Sequence, residues 1–146
     1  MPDLQISTLQ NEWVTLQTQF DSYEKYSLVI KLFSVLVCCI LIFALDVGLE
    51  SLFILAILWL QDGIWKTFQH RIGLRLEVVE QAIKDLPLAI QENSTSIGMQ
   101  FNLAWGQSRP NTVGLVGEYI KQSLKPTVAY PHAALIALVL VTFYVG

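Results

Sequence analysis

The chain has 146 residues, of which 53% are hydrophobic and only 14% charged, with a formal net charge of −3. A water-soluble domain of this length would carry roughly a quarter charged residues, and a nucleic-acid partner would call for a concentrated basic face that nine scattered Lys and Arg do not form. One domain is the natural expectation for this length, and the apolar excess, gathered into long runs, points to a membrane protein.

The stretch from Met1 to Tyr26 is polar, begins Met1-Pro2-Asp3 and lacks a basic segment leading into an apolar one, so no cleavable signal is expected. Its apolar positions Ile6, Leu9, Trp13, Leu16, Phe20 and Tyr23 alternate at spacings of three and four, an a/d seam. Neither Pro nor Gly interrupts the chain from Leu4 to Leu45, and the pattern predicts one continuous helix over 4–45, too long for a bilayer to cover, so that roughly half of it projects from the membrane. Leu28 to Leu45 contains one charge, Lys31, and forms the first membrane segment. Cys38 and Cys39 are neighbours within it, point in directions about 100° apart, and read as small packing residues rather than a disulfide.

After the acidic turn Asp46-Val47-Gly48-Leu49-Glu50, the uncharged run Leu52 to Leu60 predicts a second membrane segment in a helix over 49–86. That helix continues with the seam Phe68, Ile72, Leu76, Val79, Ile83, Leu86 and Ile90, and Pro87 is expected to end or kink it near Leu86. The two long helices together predict an antiparallel hairpin whose arms extend beyond the membrane as a coiled-coil stalk. A turn centred on Gly48 pairs Trp13 with Ile83, Phe20 with Leu76, and Tyr23 with Ile72 or Gly73; it also sets Glu12 near Lys84 and Asp21 near Arg75. Packing of each seam on another subunit is the competing arrangement.

Residues 91–126 change character, with Asn93, Ser94, Thr95, Gly98, Gly106, Pro110, Gly114 and Gly117 breaking up the apolar content. Two short amphipathic helices are expected here: one through Ile97, Phe101, Ala104 and Trp105, the other through Val113, Val116, Ile120 and Leu124, capped by Asn111 or Thr112. Trp105 and Tyr119 suit either the headgroup level of a membrane or packing on the protein's own helices. Residues 127–146 contain no Lys, Arg, Asp or Glu and supply a third membrane segment, with Pro131 expected in its first turn. All nine basic residues lie on the side shared by 1–26, 66–129 and the start of the first membrane segment, so the N-terminus and stalk are expected in the cytoplasm of a plasma or bacterial inner membrane, with the C-terminus outside.

The fold expectation is therefore an all-α integral membrane domain over 1–146 with three transmembrane helices. No GxSxG, HExxH, CxxC, Walker or GxGxxG pattern is present, and no cofactor or metal is expected. His70 and His132 are isolated in sequence, which favours structural or interfacial roles. Asn93-Ser94-Thr95 matches a glycosylation sequon that a cytoplasmic location would leave unused. The sharpest polar signal is Lys31 with Asp62, whose positions near the inner interface allow either a structural pair or a polar lining for an ion. Among function classes, a non-enzymatic structural, accessory or assembly subunit leads, binding a protein partner or another copy through stalk residues such as Trp13, Phe20, Leu76 and Ile83. The alternative is an oligomeric ion channel or membrane-perturbing effector.

Overall fold

A computed structural model describes residues 2–45, 48–91, 98–108 and 110–145. Every regular element among them is a helix: α1 (Pro2–Phe43), α2 (Glu50–Gln91), α3 (Phe101–Ser108), α4 (Thr112–Ser123) and α5 (Pro126–Val145). The sequon at 93–95 and Ile97 lie outside the described residues.

α1 opens on Pro2, which needs no backbone donor in a first turn. It closes where the amides of Ala44 and Leu45 both bond to the Ile40 carbonyl. The helix ends Phe43 and Glu50 place the centre of the turn between residues 46 and 47 rather than at Gly48. Each α1 residue therefore meets α2 several positions earlier than a turn at Gly48 would give. α2 runs through Pro87 to Gln91 instead of stopping near Leu86; the backbone N–H that Pro87 lacks falls close to the end, where only a short remainder of helix is affected. α4 is capped as expected, by the Asn111 side chain accepting from the Gly114 amide at 2.9 Å. α5 starts earlier than expected, with Pro126 taking the first-turn place expected of Pro131, which now lies inside the helix.

The chain forms two compact units, one from residues 1–22 and 68–110 and the other from 23–67 and 111–146. In the first, Leu9 and Leu16 of α1 and Ile72, Leu76 and Val79 of α2 form the buried apolar seam. Glu12 occupies a position in its centre, 5% exposed, and binds Arg75 at 2.8 Å while also accepting the Met99 amide. This corrects the expected charge register: Arg75 goes to Glu12, and Asp21 instead accepts from Gln17 one turn away. Trp13 and Phe20 are half-buried at the rim, Leu76 is buried, and Ile83 is half-buried. The rim position of Trp13 has a chemical reason, because its indole N–H needs a polar acceptor and donates to Glu80 at 2.9 Å. Phe20 packs against Gly73, so the aromatic ring takes the space a side chain would fill. Tyr23, expected opposite Ile72 or Gly73, instead packs on Trp65 with centroids 4.9 Å apart. α3 sits on α2, with Trp105 stacked on Phe68 and the Arg71 guanidinium 5.3 Å from the Trp105 ring.

Replacing the buried Leu16 by Asp is expected to leave an uncompensated charge in this seam and make the arms protease-sensitive, whereas Thr18→Asp on the exposed side of the same helix is expected to leave them resistant. Limited proteolysis of the two variants measures the difference. Equal resistance would mean that the α1 and α2 arms do not bury Leu16 between them.

Candidate functional site: a buried ionic cluster among three helices

The second unit is assembled by α1 from residue 23, α2 up to residue 67, α4 and α5. Its apolar end is a core of Cys38, Leu55 and Val139, one from each long helix, with Ile42, Leu52, Leu135 and Ile136 around it. Cys38 is therefore a packing residue, while Cys39 faces outward, and both are free thiols. Leu41 and Val128 are buried as well, and beside these apolar residues the small or polar Ser27, Ser34, Ser51, Asp62 and His132 are all fully buried. Small side chains let helix backbones approach, and Ser34 and Thr67 turn their hydroxyls back to the carbonyls of Ile30 and Gly63, so neither needs an outside partner. The closest approach is at Gly63, where an added Cβ would stand 1.8 Å from Ser123 Oγ and 2.9 Å from Ser123 Cβ.

Asp62 is the centre of the polar residues. Its Oδ1 accepts from Ser27 Oγ at 2.5 Å, and its Oδ2 binds Lys31 Nζ at 2.9 Å and lies 3.4 Å from His132 Nε2. Ser27 also accepts from Lys31 Nζ at 2.6 Å, which closes a ring of Ser27, Lys31 and the Asp62 carboxylate, with His132 on its outer side. The indole of Trp59 stacks on the His132 imidazole at 6.3 Å and donates its N–H to the Ser123 carbonyl at 2.9 Å, holding the α4 end beside α5. The Nε2–H tautomer of His132 satisfies Asp62 and leaves Nδ1 as a buried acceptor with no partner among the described residues. With a neutral imidazole the cluster carries one positive and one negative charge, so it has no net charge.

The three ionisable groups lie at one level. Lys31 and Asp62 are each twelve positions from the helix end at the turn, and His132 is thirteen from the end of α5; because every helical residue advances the chain by the same rise, the three stand at nearly equal depths. The sequence placed Lys31 and Asp62 at a water boundary; in the folded unit Asp62 is 0% exposed. Ser27 and His132 join this site although the local sequence pattern does not point to them. A signal for His132 was present, since it is the one ionisable group of Asp, Glu, Lys, Arg or His type in the last apolar segment, and its distance from that segment's end matches those of Lys31 and Asp62 from the turn.

The arrangement can bind three helices to one another with directional, charge-assisted bonds. Its one hydroxyl held against a carboxylate, Ser27 on Asp62, is fully buried, and among the described residues no group of three or more His, Cys, Asp or Glu could hold a metal ion. Toward the other end of the unit, Lys66 binds Glu24 at 2.6 Å and Trp65 packs against Tyr23 and Tyr26. Of the long helices, α1 (from Gln5) and α5 are long and apolar enough to cross a membrane; in α2 the uncharged run that begins at Ser51 ends at Asp62. Comparison with protein-family models, with curated proteins and with solved structures finds no match for this chain.

Proposed function

We propose that this chain is a non-enzymatic integral membrane subunit whose second unit crosses a bilayer through α1, α2 and α5 and whose first unit is a cytoplasmic helical docking element. The observation that carries the reading is the inverted polarity of the second unit. Leu28, Leu32, Phe33, Leu36, Phe53 and Ile57 face outward, Phe53 at 72% exposure, while Ser27, Ser34, Asp62 and His132 face inward. In water that arrangement would expose far more contiguous apolar surface than a soluble monomer tolerates, and in lipid it is the stable one. α2 fits the same bilayer because its charge is enclosed by the other two helices: with Glu50 at one face of a hydrocarbon layer about 30 Å thick, Asp62 lies roughly 18 Å in and is paired there. The tyrosines and tryptophan around the Glu24–Lys66 pair then fall near the opposite interface, where such rings are favoured.

The orientation rests on the basic residues, which would put the N-terminus inside and the end of α5 outside. Reporter fusions at the two ends check this: activity of an externally folded reporter after Gly146 and of a cytoplasmic reporter before Met1 is the expected pair. Cytoplasmic activity at both ends would mean that α5 does not cross.

Docking by the first unit is supported by a cleft of about 480 Å³ lined by Gln10, Asn11, Trp13, Val14 and Ile83, beside which Val14 is 56% exposed. Mass measurement in mild detergent is expected to find a second copy or a stoichiometric protein partner that Val14→Asp removes without unfolding the chain. A bare 16.5 kDa monomer retaining no partner would contradict it. The oligomeric channel is less well supported, because Lys31, Asp62 and His132 face one another within a single bundle rather than a surface that several copies could share.

A further inference from the structure

α4 leaves an apolar stripe facing away from its own protein. The buried Gln122 and Ser123 and the half-buried Leu115 and Tyr119 turn toward the protein, while Val113, Val116, Gly117, Ile120 and Leu124 are exposed, Val113 at 81%. The stripe follows the i, i+3, i+4, i+7 and i+11 positions of one helix face, so these side chains point one way. A side chain at Gly117 would meet open space. Trp59 holds the Ser123 carbonyl and Gly63 receives the Ser123 side chain, so the helix cannot roll to bury the stripe against its own bundle. Leu124 leads directly into α5, whose outward face is also apolar, and the exposed Lys121 and Lys125 flank the junction.

We infer that α4 is an in-plane lipid-binding helix, its apolar stripe set into the boundary between headgroups and acyl chains and its two lysines selecting anionic phospholipid. The inference rests on the membrane reading given above and adds a site and a ligand class to it. Continuity of the stripe with the outer face of α5 favours lipid over a protein as the occupant, since one apolar solvent then covers both. The lysines supply the complementary charge, and an attraction of about 1 kcal/mol per lysine corresponds to roughly a fivefold preference each.

The test uses the full chain with Cys38→Ser and Cys39→Ser, a fluorophore on a single cysteine at Gly117, Ile120 or, as a reference on α1, Leu36, and reconstitution in phosphatidylcholine vesicles with or without phosphatidylglycerol. At all three positions, lipid carrying bromine on its acyl chains is expected to quench the fluorophore, and aqueous iodide is not. At 117 and 120, brominated phosphatidylglycerol is expected to quench several-fold more effectively than brominated phosphatidylcholine, a preference that Lys121→Gln with Lys125→Gln abolishes. Iodide quenching at 117 and 120 with Leu36 still lipid-quenched would overturn the in-plane helix while leaving the spanning bundle intact. Protection from both quenchers at 117 and 120 would show a protein cover and also overturn it. Equal quenching by the two lipids would overturn the anionic selectivity, and iodide quenching at Leu36 would overturn the membrane reading beneath both.

Discussion

Asp62→Ala is expected to be the most damaging single substitution in the second unit. It leaves Lys31, whose side chain is 17% exposed, with Ser27 as its remaining partner among the described residues, and it removes the acceptor from the fully buried His132. Removing one partner of a buried pair costs about 3–5 kcal/mol, a large share of the roughly 5–15 kcal/mol that holds a typical domain together. Replacing both charges, as in Lys31→Met with Asp62→Leu, removes the uncompensated charge and is expected to recover much of the loss. The thermodynamic cycle, measured by reversible unfolding in mixed micelles, should therefore show a coupling energy well above the scatter of about 0.3–0.5 kcal/mol seen for independent sites. Additive single and double variants would mean that Lys31 and Asp62 do not act on one another.

Gly63→Ala is expected to destabilise the same unit by about 1–3 kcal/mol, the usual cost of overpacking. The sign is informative, because Gly to Ala inside an exposed helix would stabilise by about 1 kcal/mol. Here the new Cβ meets Ser123 at Oγ, Cβ and Cα, and although the hydroxyl could rotate away, the Cβ at 2.9 Å and the Cα at 3.2 Å could not. Adding Ser123→Gly removes the two closest atoms and is expected to return part of the loss. Thermal or denaturant unfolding of the single and double variants checks both steps. A Gly63→Ala chain as stable as the parent would mean that α2 and the end of α4 are farther apart than described.

The long helices were legible in the sequence because nothing between Asp3 and Leu45 breaks a helix and because apolar runs of that length have few alternatives. Which α2 residues face which α1 residues was less legible. Mirror symmetry about a glycine fixes a register only if the glycine is the turn's midpoint, and here Gly48 lies toward the α2 side. Periodicity makes the seam uniformly apolar, with Trp13 and Phe20 central in it, whereas Glu12 takes such a place because Arg75 and the Met99 amide neutralise and satisfy it. Periodicity cannot anticipate a buried carboxylate, since the partners that make its burial tolerable come from elsewhere in the chain. The same reasoning applies to Asp62. Its approach to Lys31 follows from helix pairing, but the contribution of His132 depends on where α5 returns, and local pattern carries no information about that.

Small inward residues gave a weaker trace. Ser27, Ser34 and Cys38 recur at spacings of seven and four along α1, which is a helix-face pattern, but hydropathy reads them as interruptions in an apolar run rather than as its packing side. The outward leucines and phenylalanines dominate the hydropathy of α1, so composition marks the helix as apolar enough to cross a membrane and says little about which side packs inward.

The central claim is that α1 carries the chain from one side of a bilayer to the other, with the polar cluster enclosed between the two faces. Labelling of single cysteines at Asn11 and Gly48 tests it most directly, in intact cells, with Cys38 and Cys39 replaced by Ser and an impermeant maleimide added from outside. A side chain at Gly48 would make only ordinary van der Waals contact with Phe143, so the probe itself is tolerated. The expected result is reaction at 48 in intact cells and at 11 only after the membrane is permeabilised. Reaction at both positions from the same side would contradict the crossing.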